Sequence, residues 1–201
     1  MAVLDARSGF DVGDPAAWEQ VGAVELACLN AGVAVDTGDL TAVSDEAYRR
    51  ILGANVDGVV FGTRRLARVM APGSAIVATA SLAGLVPMEH DPLYTLTKHA
   101  VVGFVRSVAP QLASRGIRIT AVAPGFADTP ILTPGTRAAM VAAGFPLLSA
   151  ADVAGVVLAT ARDGAPGSVW VAQPGREAAE FRFPNVPGPR TPDGKPMLPP
   201  L

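Results

Sequence analysis

The sequence predicts an α/β fold built around a parallel sheet, because short apolar runs alternate along the chain with longer helical stretches. Four of these runs are strong strand candidates: residues 25–29, 74–80, 116–123 and 168–171. They are apolar almost throughout, which is typical of parallel strands buried on both faces. Each run leads into a turn that contains glycine, proline or serine. Residues 8–12 are a fifth and weaker strand candidate.

Helices are predicted in the intervals, over residues 14–22, 44–70, 92–114 and 149–162. The first is marked by Asp14 as an N-cap followed by Pro15, and the second by the N-cap Ser44. Pro110 lies inside the third helix, where it removes one backbone hydrogen bond and is expected to kink the last turn. Residues 1–180 are therefore predicted to form one domain. The seven prolines of residues 181–201 predict an extended tail.

Composition narrows the class of protein. The 201 residues carry a net charge of −2, which gives no basic surface for nucleic acid or for an anionic membrane. Cys28 is the only cysteine, so no internal disulfide can form, and its apolar neighbours predict a buried, inert thiol. The first residues do not resemble a signal peptide, and charges interrupt the apolar stretches, as Arg106 does. We expect a cytoplasmic protein.

The pair Tyr94 and Lys98 is the first candidate for chemistry. The two residues are four positions apart on a predicted helix, so their side chains share one face. With two tyrosines and two lysines in the chain, any such pair arises by chance at roughly 2%. An ammonium beside a phenol lowers the phenol pKa, and such a tyrosine can exchange a proton with a carbonyl or alcohol oxygen.

Ser81 extends this candidate site. It lies thirteen residues before Tyr94, directly after the strand candidate 74–80. Ligands of parallel sheets bind outside the carboxyl ends of the strands, where this hydroxyl is expected. A serine after a strand is by itself ordinary turn chemistry, and only the pairing with Tyr94 and Lys98 favours a site. A hydrolase using Ser81 is disfavoured, since no G-x-S-x-G turn occurs and neither His90 nor His99 has an obvious orienting acid. No metal site is predicted.

These motifs together resemble the short-chain dehydrogenase/reductase family. Residues 81–126 are similar to its central block, in which a serine precedes Y-x-x-x-K by thirteen residues and a later strand ends in Pro-Gly. Residues 29–32 (LNAG) resemble the family's N-N-A-G, with Leu29 replacing an asparagine, and Thr120 stands where the family usually has asparagine. Asn55, in ANVDGVV, matches the asparagine of the catalytic tetrad. The resemblance runs from about residue 10 to residue 175.

The resemblance implies a role for each matching residue. Tyr94 would be the acid and base of hydride transfer, Lys98 would lower the pKa of Tyr94 and hold the nicotinamide ribose, Ser81 would polarise the substrate oxygen, and Asn55 would hold a water. Thr129, in APGFADTPI, would contact the nicotinamide carboxamide, and Asp11 resembles the aspartate that meets the adenine ring. The residues implied in cofactor binding are Asp11, Asn30, Ala31, Gly32, Tyr94, Lys98, Pro124, Gly125 and Thr129.

One family feature is absent from the sequence. No glycine-rich turn of the form T-G-x-x-x-G-x-G occurs, so the segment that grips the cofactor pyrophosphate is not recognised. The expected fold is therefore a Rossmann-like, doubly wound parallel sheet lacking its first one or two strands, with residues 25–29 as an unpaired apolar edge. We expect the natural protein to begin roughly fifty residues upstream, the length of a βαβ unit and a further helix. The cofactor is NAD or NADP, and the sequence leaves the choice open.

The implied function is an NAD(P)-dependent oxidoreductase that interconverts a secondary alcohol and a ketone. The apolar content of residues 129–149 suggests a hydrophobic small-molecule substrate. A homo-oligomer, either a dimer or a tetramer, is implied through the helices 44–70 and 92–114. The alternative is a catalytically inactive member of the family that serves as a binding or dimerisation module, although the presence of Ser81, Asn55, Tyr94 and Lys98 favours an enzyme.

Overall fold

A computed structural model describes residues 2–35 and 37–195, and its centre is a five-stranded sheet. The strands follow one another across the sheet in chain order. The first four strands are parallel, and the fifth is antiparallel to the fourth. These strands are β1 Leu26–Leu29, β2 Ala75–Thr79, β3 Arg118–Pro124, β4 Val169–Ala172 and β5 Ala179–Glu180. The four strong strand predictions are confirmed.

Five α-helices connect and flank the strands: α1 Asp45–Leu52, α2 Gly58–Val69, α3 Pro92–Ala113, α4 Pro134–Ala142 and α5 Ala150–Asp163. The predicted helix 44–70 is one helical stretch, but a π-helical turn, Gly53–Asp57, separates α1 from α2. Ser44 caps α1 as expected, with its hydroxyl accepting a bond from the Ala47 N–H. The α3 helix continues through Pro110 to Ala113. Among the described residues, no helix has the length and apolar character needed to cross a bilayer.

Helices cover both faces of the sheet, which confirms a doubly wound α/β fold. On one face, Ile76 and Ile119 belong to a core cluster that includes residues of α2 and α3. Thr120 alternates with these positions and points to the other face, where its methyl group lies 3.1 Å from the Cβ position of Gly164 at the end of α5. The middle strands β2 and β3 are almost completely buried as a result.

The strand prediction for residues 8–12 is wrong. Ala6–Ser8 form a short 3₁₀ turn capped by the Asp5 carboxylate, and Gly9 ends this turn with a φ of 77°. Phe10 is then buried edge-on against Trp18, with ring centroids 5.1 Å apart. Aromatic packing therefore anchors this segment in place of sheet pairing. The helix predicted over 14–22 is reduced to one 3₁₀ turn, Ala17–Gln20, in which Trp18 is the buried residue.

Strand β1 is the exposed edge that the sequence predicted. It pairs with β2 and with no second strand in the described ranges 2–35 and 37–195. Only one of its faces is covered, since Leu29 packs beside Trp18 and Gly62 of α2. Cys28 lies on the other face and is exposed, so the prediction of a buried thiol is wrong.

The opposite edge of the sheet is occupied by the start of the tail. The Phe181 N–H donates to the Val169 carbonyl at 2.8 Å, which extends the pairing of β5 with β4. Phe183 then lies beneath the Arg106 guanidinium of α3, which is 3.7 Å from the ring centroid. Residues 196–201 of the predicted tail lie outside the described residues.

Candidate active site

Ser81 lies at the carboxyl end of β2, as predicted. Its extended backbone makes it the N-cap of a short 3₁₀ turn, Leu82–Gly84. The Ser81 hydroxyl oxygen accepts a bond from the Ala83 N–H at 3.2 Å. This bond fixes the side chain and leaves the hydroxyl proton available for donation to a ligand.

Gly84 allows this turn to pack on α3. A Cβ at Gly84 would lie 2.6 Å from the Lys98 carbonyl oxygen, which is far inside a normal contact. The turn that begins at Ser81 therefore approaches the α3 backbone directly beside Lys98. Because only glycine fits this contact, Gly84 helps to bring Ser81 towards the tyrosine and lysine of α3.

Tyr94 is fixed by the beginning of α3. Asp91 is the N-cap, and its carboxylate accepts the Tyr94 N–H at 2.9 Å, while Pro92 occupies the first helical turn. The tyrosine side chain is half-buried. One helical turn later, the Lys98 ammonium lies 5.4 Å from the centroid of the Tyr94 ring. The predicted pair therefore shares one face of the helix.

Lys98 is a buried cation. Its side chain donates to the Thr79 carbonyl at 2.8 Å, and the residue is only 2% exposed. Burial lowers the pKa of Lys98 from 10.5 to about 8. Gly32 lies beside the ammonium, since a Cβ there would be 3.4 Å from Nζ. The lysine head thus lies between the end of β2 and the loop after β1.

The pKa of Tyr94 differs from the sequence expectation of a lowered value. Burial raises it, and the Asp91 carboxylate raises it further, while the Ser81 side chain acts in the opposite direction. Loss of solvent disfavours the phenolate, and in the chain alone this effect is larger than any stabilisation by neighbours. A phenol that keeps its proton suits the acid role better than the base role.

Asn55 is completely buried in the π-helical turn, and its carboxamide makes three hydrogen bonds. Its oxygen accepts the Val33 N–H at 2.8 Å, and its nitrogen donates to the Val33 carbonyl at 2.9 Å and to the Thr97 hydroxyl at 3.0 Å. Thr97 in turn donates to the Tyr94 carbonyl at 2.8 Å. Both amide hydrogens are used in this way. The Asn55 side chain therefore joins the loop after β1 to α3.

The cofactor-binding candidates of β1 and β3 lie at the same edge of the sheet. Asn30, Ala31 and Gly32 follow β1, and the Asn30 side-chain oxygen accepts the Thr79 hydroxyl at 2.7 Å. Pro124 ends β3, and the next residue, Gly125, donates its N–H to the Ala172 carbonyl at 2.9 Å. The Gln173 side-chain oxygen would lie 2.5 Å from a Cβ at Gly125.

Thr129 and Asp11, the two remaining cofactor-binding candidates, both lie in loops. Thr129 lies in the loop after β3 and lines an open cleft of about 400 Å³. Asp11 is exposed, and its carboxylate accepts the Gly13 N–H at 2.8 Å. No hydrogen bond or ion pair joins Asp11 to another candidate residue in the described part of the chain. Packing thus brings together Ser81, Asn55, Tyr94, Lys98 and Gly32, whereas Asp11 takes no part in their hydrogen bonds.

Two residues of the site were missed at the level of sequence. The Thr97 hydroxyl accepts a hydrogen bond from the Asn55 amide and donates one to the Tyr94 carbonyl. Its position three residues after Tyr94 on the same helix could have indicated that it lies near the site. Thr79 receives the Lys98 ammonium through its backbone carbonyl. Because every residue has such a carbonyl, the sequence carries no sign of this contact.

Comparison with known proteins identifies a family model and several relatives that match this chain. Residues 15–168 match a family model described as enoyl-(acyl carrier protein) reductase. A cyclohexanol dehydrogenase of Acinetobacter sp. (strain SE19) is 36% identical over 122 residues, which are 60% of this chain and 49% of that protein. A cis-4-hydroxycyclohexanecarboxylate dehydrogenase of Sinomonas cyclohexanicum is 37% identical over 145 residues, 70% of this chain and 58% of that protein. The chain therefore spans about half the length of the curated relatives it matches.

Solved structures agree as well. A short-chain dehydrogenase from Burkholderia cenocepacia J2315, solved in complex with NADP, superposes with a TM-score of 0.70 at 26% identity, over 80% of this chain and 72% of that one. The family model covers well over half of the 201 residues. The chain belongs to the short-chain dehydrogenase/reductase family.

Proposed function

We propose that this chain carries the catalytic residues of an NAD(P)-dependent oxidoreductase that interconverts a secondary alcohol and a ketone. The observation that carries the proposal is the buried Lys98 ammonium beside the Tyr94 ring, at the strand end that also bears Ser81. A buried cation is costly to maintain, and such groups cluster at functional sites. The Lys98 ammonium lies beside the Tyr94 ring, so its charge can stabilise the phenolate that forms when Tyr94 gives up its proton.

In the reduction direction, Tyr94 donates its proton to the substrate oxygen as negative charge develops there. Ser81, whose hydroxyl proton is available, donates a second hydrogen bond to the same oxygen. Lys98 stabilises the resulting phenolate by its charge, so the proton transfer is easier than the raised pKa of Tyr94 alone suggests. In the oxidation direction the same tyrosine, as phenolate, accepts the alcohol proton.

The nicotinamide end of a cofactor fits these residues. Lys98 uses one N–H for Thr79 and keeps two more for ribose hydroxyls, and Gly32 permits close approach beside it. NAD or NADP would supply or accept the hydride when bound. Asn30, Ala31, Pro124, Gly125 and Thr129 are the further residues proposed to hold this half. The described residues contain no glycine-rich turn of the kind that holds a pyrophosphate, and we propose no residue for that part of the cofactor.

The proposed substrate is a hydrophobic secondary alcohol, with a ring as its simplest form. The cleft at Thr129 has apolar walls that include Pro130, Leu132 and Pro134. Two of the relatives are named for the dehydrogenation of cyclohexanol and of a hydroxycyclohexanecarboxylate. We therefore propose cyclohexanol and cyclohexanone as the first compounds to assay.

Tyr94→Phe tests the proposal, with Tyr48→Phe as the matched control. Tyr48 is the other tyrosine of the chain and is 43% exposed on α1. Loss of the general acid is expected to lower kcat by about a hundredfold or more, while Tyr48→Phe keeps the wild-type rate. Turnover is followed by nicotinamide absorbance with NADH and NADPH separately. Coenzyme binding without turnover of any ketone would favour the inactive binding-module alternative, and equal rates for the two variants would refute the role of Tyr94.

We also propose a homo-oligomer, a dimer or a tetramer, in which the α1–α2 stretch and α3 meet their counterparts. Tyr48 of α1 and Leu96 of α3 are large apolar side chains that are 43% and 48% exposed. Exposed apolar residues on adjacent helices support an interface. Light scattering of the purified chain tests the proposal, and a monomer at every concentration would exclude it.

We propose a cytoplasmic location, because the exposed thiol of Cys28 is best kept reduced in a reducing compartment. Cell fractionation of the native protein tests this, and recovery from an oxidising compartment would contradict it.

A further inference from the structure

The segment between β3 and α5 is closed at its base. Ala127 forms an isolated bridge with Leu148, the Asp128 N–H donates to the Leu148 carbonyl at 2.8 Å, and the Leu148 N–H donates to the Phe126 carbonyl at 2.9 Å. The two ends of the segment are thus joined by backbone bonds. Residues 129–147 lie between these ends and are called the cap segment below.

The cap segment itself has little core packing. Its helix α4 has no buried residue, and Val141 and Phe145 are 58% and 47% exposed. Apart from an edge contact between Phe126 and Phe145, with ring centroids 5.7 Å apart, few apolar contacts hold it. Its position therefore depends strongly on the polar contacts that it makes, because segments with few buried contacts open at low cost.

One ion pair joins the cap segment to its base. Arg137 of α4 binds the Asp128 carboxylate with both prongs, Nε to Oδ1 at 2.5 Å and the terminal nitrogen to Oδ2 at 2.7 Å. The pair lowers the pKa of Asp128 and raises that of Arg137, mainly through this hydrogen bonding. The Asp128 backbone is bonded to Leu148, so the pair fastens the exposed helix α4 to the base of the segment. Two-pronged pairs hold geometry better than single contacts.

Asp128, Thr129 and Arg137 also line the same cleft of about 400 Å³. Thr129 directly follows Asp128, and its N–H donates to the Ala127 carbonyl at 2.9 Å. Opening of the ion pair would therefore free α4, with the cleft-lining residues Pro134 and Ala138, from Thr129, which stays bonded to the base of the segment.

We propose that Asp128 and Arg137 form a latch that holds the cap segment closed, and that Arg137 is a positioning residue that acts on ligands by holding the α4 side of the cleft beside Thr129. This inference rests on the proposed function for its ligand, but the latch itself can be tested without any ligand. Only the closed cap offers the assembled cleft, so the apparent ligand affinity is proportional to the fraction of molecules in which the cap is closed. An exposed ion pair of good geometry changes an equilibrium constant by up to about fivefold.

The first test is hydrogen–deuterium exchange of the ligand-free chain. Arg137→Met keeps the apolar stem and removes the charge, and Asp128→Asn removes the charge of the other partner. Both are expected to speed exchange in peptides of the cap segment by two- to fivefold and to leave β3 unchanged, and Arg137→Lys to have a smaller effect. The control is Arg162→Met, since Arg162 forms a comparable exposed pair with Asp163 at 2.8 Å on α5. Unchanged exchange in Arg137→Met would overturn the proposal.

The second test is titration with NADPH, followed by coenzyme fluorescence. The latch predicts that Arg137→Met and Asp128→Asn raise the apparent Kd by the same factor, about two- to fivefold, and that the double variant is no weaker than either one. A direct contact of Arg137 with the coenzyme predicts instead that Asp128→Asn leaves the affinity unchanged or improves it, which would overturn the positioning role. If no variant and not even the wild type binds coenzyme, the proposed function fails, and the exchange data alone decide the latch.

Discussion

Replacing Lys98 by methionine is expected to stabilise the fold while it abolishes the proposed activity. The ammonium is 2% exposed, and its pKa is lowered from 10.5 to about 8. At neutral pH the lysine is charged in both the folded and the unfolded chain, so the folded state bears the cost of burying the charge. A shift of this size corresponds to about 3 kcal/mol. Methionine has a similar length and carries no charge to bury.

Part of this gain is lost with the hydrogen bond to Thr79. The Thr79 carbonyl accepts the lysine N–H at 2.8 Å, and an unsatisfied buried acceptor costs about 1–2 kcal/mol. The net expectation for Lys98→Met is therefore about 1–2 kcal/mol of added stability, or roughly 2–8 °C in Tm for a domain of this size. Lys195→Met is the matched control, because the only other lysine of the chain has a side chain that is 79% exposed and has no burial cost to lose.

The pH dependence of the stability difference between Lys98→Met and the wild type distinguishes the cost of burying a charge from a change in packing. The folded pKa of Lys98 lies below the unfolded value, so the destabilising contribution is complete below about pH 8 and disappears as the pH rises towards 10.5. The advantage of Lys98→Met over the wild type should therefore shrink between these values. Urea unfolding, followed by tryptophan fluorescence at several pH values, measures it. A variant less stable than the wild type at pH 7, or an advantage independent of pH, would refute the reasoning.

Three further changes are expected to alter the free energy of urea unfolding. Gly84→Ala should cost about 2 kcal/mol or more, because its Cβ would lie 2.6 Å from the Lys98 carbonyl oxygen. Gly103→Ala on α3 is the control, since its Cβ would meet no atom within 4 Å and should not destabilise the fold. Equal effects of the two changes would contradict the contact at Gly84. Thr120→Val should stabilise by about 1 kcal/mol, since the buried hydroxyl has no partner among the described residues, and a loss of stability would reveal one. Asn55→Ala removes three buried hydrogen bonds and should cost about 3 kcal/mol, so a cost below 1 kcal/mol would show that the carboxamide is dispensable.

The strands and the central part of the site were predictable because their causes are local. Strands buried on both faces need continuous apolar runs, and β1 to β4 coincide with the four predicted runs to within two residues at each end. The helix spacing of Tyr94 and Lys98 fixed their common face, and the serine after β2 was expected at the carboxyl end of the sheet. These predictions needed no knowledge of which elements pack together.

The failures concern properties that tertiary packing decides. Residues 8–12 have the composition of a strand, but Phe10 is used against Trp18 instead. The π-helical turn around Asn55 interrupts a regular helical pattern because the carboxamide must reach Val33 and Thr97. The direction of the Tyr94 pKa shift was also missed, since burial depends on neighbours that the spacing of two residues does not reveal.

Two chains of hydrogen bonds link the loop after β1 to Tyr94 and Lys98, the proposed proton-transfer pair, and we expect them to couple the loop and the pair energetically. One runs from Asn30 through Thr79 to the Lys98 ammonium. The other runs from Val33 through the Asn55 carboxamide and Thr97 to the Tyr94 backbone.

Both chains begin in the loop that follows the exposed edge strand, so we expect a ligand that binds this loop to stabilise the positions of Tyr94 and Lys98 as well, and by linkage the reverse. Val33→Pro would remove the N–H that donates to the Asn55 oxygen without replacing any proposed catalytic side chain. It should therefore weaken coenzyme binding and slow turnover together. If coenzyme affinity fell while kcat stayed at the wild-type value, the loop and the pair would be independent, and the coupling argument would be wrong.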